Sequence, residues 1–130
     1  MQAERRLHPR ACVDLPIELI NCMGQSAQAS ILNLSEEGLS VQGNGVLAGL
    51  HQALAGVELE LSLIFRVQGE LIRCDARVGY RRRLSQQHYQ LGLSFTWLDD
   101  FSRRLLRSEV EHYLYALEHE PLTDELACIW

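Results

Sequence analysis

Lysine is absent from this chain of 130 residues. All twelve basic side chains are arginine, set against seventeen acidic ones, for a net charge of −5. Aromatic residues are scarce too, at 7 %. A general nucleic-acid binder presents a basic face that neutralises many phosphates, and an oligonucleotide-binding barrel adds aromatic stacking residues to such a face. Here the basic residues cluster only at residues 5–10 and at Arg81-Arg82-Arg83, with no aromatic group among either. Polymeric nucleic acid is therefore disfavoured, and a ligand carrying only a few phosphates fits better.

Other absences narrow the class further. No apolar run approaches the ~20 residues that a bilayer span requires. The N-terminus is polar and charged, unlike a secretory leader. Four cysteines at positions 12, 22, 74 and 128 form neither a Cys-x-x-Cys pair nor a metal-ligand spacing, so free, buried thiols in a reducing, cytoplasmic setting are expected. There is no Ser/His/Asp or Cys/His set and no phosphate-cradling loop. Glu36-Glu37 has no accompanying nucleophile, and adjacent residues in a turn point apart. The five histidines are isolated; His112 and His119, seven apart on a helix, read as surface residues. The expectation is a sensor rather than an enzyme, without metal or resident cofactor.

What the chain does contain is an ordinary globular composition, 47 % hydrophobic and 22 % charged, consistent with one domain over residues 1–130. Val13, Leu15, Ile17 and Leu19 alternate with polar residues and Pro16, which predicts a strand over residues 11–20 with a gap in pairing at the proline. Residues 21–25 read as a turn. Further strands are predicted over 27–34, 39–41, 57–65, 71–80 and 88–97, with a short helical turn after Gly43-Asn44-Gly45. Short strands separated by turn signals indicate an antiparallel barrel or sandwich spanning about residues 11–97. The period then changes: Phe101, Leu105, Leu106, Val110, Tyr113, Leu114 and Leu117 recur at helical spacing after Asp99-Asp100, predicting an amphipathic helix over about 99–119.

Two segments carry chemistry. Arg5, Arg6 and Arg10 place three guanidiniums within six residues, and a guanidinium is a planar fork suited to phosphate and to flat rings. Asn33, Ser35 and Gly38 then offer an amide, a hydroxyl and a residue without side chain, suited to the polar edge of a planar base. Without the second segment, the first would read as a solvated tail; without the first, the second would read as hairpin chemistry.

Together, Arg6-x-x-x-Arg10 and Asn33-x-Ser35-x-x-Gly38, followed by the Leu91-Gly92-Leu93-Ser94-Phe95 strand and a helix, resemble the PilZ domain family over roughly residues 4–119. The resemblance implies a six-stranded antiparallel β-barrel with a C-terminal helix packed on it, in a stand-alone protein. It also implies a receptor for the bacterial second messenger cyclic di-GMP, one molecule or a stacked pair. Arg5, Arg6, Arg10, Asn33, Ser35 and Gly38 would bind the ligand. Asn33 and Ser35 would stand on the barrel surface, and Gly38 would supply a turn of positive φ. Tyr80 and Arg81, read as the end of a strand, are further candidates, while Arg81-Arg82-Arg83 reads as a solvated hairpin tip. The expected partner is an unidentified downstream protein, acting on a monomer or weak dimer. The alternative is a PilZ-like interaction adaptor that binds no nucleotide.

Overall fold

The computed structural model describes residues 9–51 and 60–119. Six strands run β1 (Ala11–Ile20), β2 (Ser26–Leu34), β3 (Gly38–Gly43), β4 (Glu60–Val67), β5 (Glu70–Ser85) and β6 (His88–Trp97), with α1 (Gly45–His51) after β3 and α2 (Asp100–His119) at the end. They close into an antiparallel barrel in the order β1-β2-β3-β6-β5-β4, which is the architecture expected.

Period-2 alternation builds its core. Leu61, Leu63, Phe65 and Val67 of β4, Ile72, Cys74 and Ala76 of β5, and Leu91 and Leu93 of β6 point inward and are buried. Each removes apolar surface from water. Turn chemistry connects the strands. Asn21 accepts the main-chain N–H groups of Met23 and Gln25 through Oδ1, both at 3.0 Å, while Gly24 takes φ +82°. Gln68 and Gly69 both adopt positive φ, the signature of a tight hairpin whose twist matches its strands.

β1 forms where it is expected, and Pro16 lies where one ladder ends. It pairs with Ser30 of β2, but the ladder to β4 begins only at Ile17. β5 is longer than expected. Tyr80 and Arg81 do not end a strand: they pair with Gly92 and Leu91, and β5 continues to Ser85. The arginine run is therefore strand rather than hairpin tip. Its cations lie along tyrosine rings, Arg81 and Arg83 each 5.9 Å from Tyr89 and Arg82 5.5 Å from Tyr80, so the strand offers these charges attractive faces. The Val57–Leu59 portion of the expected fourth strand lies outside the described residues.

Chain direction decides what meets what. β3 begins at Gly38 beside Ser94 and ends at Gly43 beside Tyr89. The end of β2, the start of β3 and the end of β6 thus share one end of the barrel, and the start of β1 joins them because Cys12 faces Asn33. α2 departs from that same end. It packs on β1 and β4 through Ser102, Leu106 and Val110, which recur every fourth residue and are buried.

The thiols depart from the expectation of free, buried cysteines in two places, at Cys22 and at Cys12. Cys22 is a free, exposed thiol and Cys74 a free, buried one, but Cys12 is disulfide-bonded. Cys12 is half-buried at the barrel end, whereas Cys74 is enclosed by the core. Burial, reinforced by the nearby Asp75 and Asp99 carboxylates, pushes the Cys74 thiol up to about 12. Because the thiolate is the nucleophile, iodoacetamide at mildly alkaline pH is expected to label Cys22 rapidly and Cys74 only after denaturation. Peptide mass spectrometry checks this, and early labelling of Cys74 would contradict it.

Gly38 departs too. Positive φ among the described glycines belongs to Gly24 and Gly69, not to Gly38. Its requirement is steric: a Cβ there would lie 2.0 Å from the Leu93 carbonyl oxygen and 3.0 Å from its carbon. The neighbour is backbone and cannot turn aside. Gly38→Ala is expected to lower stability by roughly 1–3 kcal/mol through overpacking, read as a lower denaturation midpoint. An unchanged midpoint would mean that the β3–β6 ladder shifts without cost.

Candidate functional site

The shared barrel end brings the two motifs into contact. Arg10, just ahead of β1, donates through Nη1 to Oδ1 of Asn33 at 2.8 Å. Arg5 and Arg6 lie outside the described residues. The bond also fixes the amide's orientation, since arginine only donates and the oxygen must face it.

Asn33 reaches this position through an irregularity of β2. Ile31 pairs with Val41 but Asn33 with Ser40, so one extra residue is taken up at Leu32. Ile31 and Leu34 both enter the core, although regular alternation would put residues three apart on opposite faces. Asn33, next to Leu34, is therefore turned away from the interior and toward Arg10. It is nevertheless 1 % exposed, and Ser35 is 0 % exposed, which corrects the expectation that both stand on the surface.

Ser35 is occupied within its own loop. Its Oγ accepts the Glu37 N–H at 3.1 Å and donates to the Gly38 carbonyl at 3.4 Å. The Ser35 N–H also reaches that carbonyl, at 2.9 Å. Its part is to shape the turn. Two polar atoms nearby have no partner among the described residues: Nδ2 of Asn33 and Oγ of Ser40. They belong to residues directly opposite each other on β2 and β3. A buried polar group left unpaired costs about 1–3 kcal/mol, so this is where an incoming hydrogen-bonding group gains most.

Arg10 links Asn33 to a cavity of about 390 Å³, lined by Arg10, Glu36, Glu37, Gly38, Leu93, Ser94, Phe95 and Arg103 but not by Asn33, Ser35 or Ser40. That volume falls within the ~300–1,000 Å³ of small-molecule sites. Tyr80 and Arg81 do not line it. Tyr80 is instead laid across Gly92, where a Cβ would come 2.0 Å from its ring, and its hydroxyl accepts from Gln90 Nε2 at 3.1 Å.

Sequence reasoning missed the contribution of α2. Arg103 donates through Nη1 to the Glu36 carbonyl at 3.2 Å. Arg107 grips the Glu36 carboxylate with two bonds of 3.1 and 3.0 Å, and that carboxylate holds the Arg107 guanidinium above its usual range. The i, i+4 spacing of the two arginines on the predicted helix was the available signal. At its far side α2 is tied to the β4–β5 turn, Gln68 donating to Glu109 at 3.2 Å. Among the described residues, no group of three or more His, Cys, Asp or Glu could hold a metal ion, and no helix is long and apolar enough to cross a membrane.

A PilZ domain family model matches residues 4–114. The chain belongs to the PilZ domain family. No curated protein matches it. Among solved structures it is similar to Bacillus subtilis MotI/DgrA, the inhibitor of motility, at 18 % identity and TM-score 0.64, over 85 % of this chain and 52 % of that one. The apo form of K. pneumonia MrkH superposes with TM-score 0.71 at 13 % identity, over 89 % and 51 %. The PilZ domain of Escherichia coli YcgR, solved with c-di-GMP, gives 0.62 at 14 %, over 88 % and 96 %. The chain thus spans about half the length of the MotI and MrkH chains.

α2 is anchored at its start by Asp99, whose Oδ1 accepts the Ser102 N–H at 2.7 Å. Hydrogen bonding from Ser102, through its side chain first and its main-chain N–H second, holds the Asp99 carboxyl below the usual carboxylate range. A lowered folded value means the stabilisation is present above the ordinary carboxylate pKa and is lost as pH falls through the lowered one. Asp99→Ala is expected to lower the melting temperature at neutral pH, with the gap to the unsubstituted chain closing in acid. Melting curves across pH check this; a gap independent of pH would contradict it.

Proposed function

We propose that this protein is a cyclic di-GMP receptor. One observation carries the reading: the 2.8 Å bond from Arg10 to Asn33 joins the two motifs next to an open cavity that Arg10 lines, and the Asn33 amide donor has no partner among the described residues. The ligand's phosphates suit the guanidiniums of Arg10, Arg6 and Arg5, which can grip phosphate in bidentate fashion. Its guanines suit the remaining donors. Guanine presents O6 and N7 as acceptors, and Asn33 Nδ2 needs an acceptor. Gly38, lying against β6 without a side chain, leaves the cavity floor open, and Ser35 holds the loop in shape.

Binding would act on the chain in two places. Phosphates drawing on Arg5, Arg6 and Arg10 order the segment ahead of β1, and the loop between β2 and β3 transmits strain to α2 through Glu36. An exposed surface that changes in this way is what a protein partner would read. The structures of c-di-GMP complexes of YcgR, of K. pneumonia MrkH and of Borreliella burgdorferi PlzA support the ligand class by fold.

Isothermal calorimetry tests the reading. The protein is expected to bind cyclic di-GMP with measurable heat, and Arg10→Ala to lose at least about tenfold in affinity, since a hydrogen bond to a charged group contributes ~1.5–3 kcal/mol. A folded protein giving no heat at high micromolar ligand would sink the proposal in favour of the adaptor reading. The same titration gives the stoichiometry, one ligand or a stacked pair.

A further inference from the structure

Glu36 occupies a position that the motif Asn33-x-Ser35-x-x-Gly38 leaves open, yet two arginines of α2 converge on it. They do so differently. Arg107 commits its fork to the Glu36 carboxylate, which is 19 % exposed. Arg103, one helical turn earlier, makes a single side-chain bond, and that to a neutral carbonyl. A guanidinium has five N–H donors, so four of those on Arg103 have no partner among the described residues. Arg103 is half-buried and lines the same cavity as Arg10, whereas Arg107 does not.

Charge sharpens the contrast. The cavity wall carries the carboxylates of Glu36 and Glu37 against the guanidiniums of Arg10 and Arg103. Arg107 offsets the Glu36 charge with a bidentate pair, and Arg103 adds a second cation to that of Arg10 on the wall. A cyclic dinucleotide brings one negative charge on each of its two phosphates, so each further cation at the cavity adds to the attraction.

We propose that Arg103 is a further ligand-binding residue, whose guanidinium grips a phosphate of the bound nucleotide from α2 while Arg10 approaches from the start of β1. The assignment rests on the cyclic di-GMP reading above. It makes the helix part of the site itself, because the fork that holds the phosphate is rooted between Ser102 and Leu106 on the buried face of α2.

The test is calorimetric titration of the whole chain with cyclic di-GMP at low and high salt. Arg103→Gln keeps an amide donor for the Glu36 carbonyl but removes the charge and the fork. It is expected to bind about tenfold or more weakly at low salt, with the difference shrinking at high salt as screening weakens the wild-type contact. Arg103→Lys, which keeps the charge without the fork, is expected to recover part of the loss. Arg82→Gln, on the far hairpin, changes net charge equally and is expected to bind within about twofold of wild type. Melting curves confirm that each variant is folded. If wild type binds and Arg103→Gln binds equally well, or is weakened to the same degree at both salts, the assignment is overturned while the receptor reading stands. If wild type gives no heat, the receptor reading fails and the assignment falls with it.

Discussion

The register between β1 and β2 is the constraint on which the site depends. Setting Cys12 opposite Asn33 brings the lead-in to the first strand alongside the end of the second, so that Arg10 and Asn33 touch although 23 residues separate them. A slip of one residue would turn every side chain of β1 to the other face, emptying the core of Ile17 and Leu19. Core packing and the geometry of the candidate site are therefore fixed by one alignment. Irregularities tune it: an extra residue in β1 between Cys12 and Leu15, and another in β2 at Leu32, re-aim the residues nearest the site without disturbing the rest of the barrel.

Much of the fold was legible because its elements keep their periods. β6 occupies residues 88–97 as its alternation predicts, and α2 begins one residue after its predicted start. The β5 error has a definite cause. Three consecutive arginines read as a solvated turn, and nothing local in the sequence announces that Tyr80 and Tyr89 will accept them along a strand. The strand's irregularity at Gly79 further interrupts the pattern by which its continuation could be followed.

The site was legible in composition but not in depth. Arg10 and Asn33 were named together, yet their contact buries Asn33, and burial at a strand end depends on what covers it rather than on the strand's own pattern. Gly38 was named for a turn of positive φ, but what excludes a side chain there lies across the sheet in the Leu93 carbonyl, a backbone neighbour that no local signal specifies. Arg103 and Arg107 belong to a helix almost seventy residues beyond Glu36, at separations of 67 and 71, and their role emerges only from antiparallel topology. Cys12 shows the same limit, since compartment arguments speak to a whole chain and not to one half-buried thiol.

Because β1 pairs with β2 on one side and β4 on the other, the sheet closes on itself. An open sheet invites recognition by strand addition, in which a partner borrows unpaired main-chain groups along an edge. Over Ile17–Ile20, where β1 pairs with β4, that route is shut: those amides and carbonyls already answer one another. What lies beside the cavity instead is side-chain surface, that of α2 with Arg103 and of the loop carrying Glu36 and Glu37.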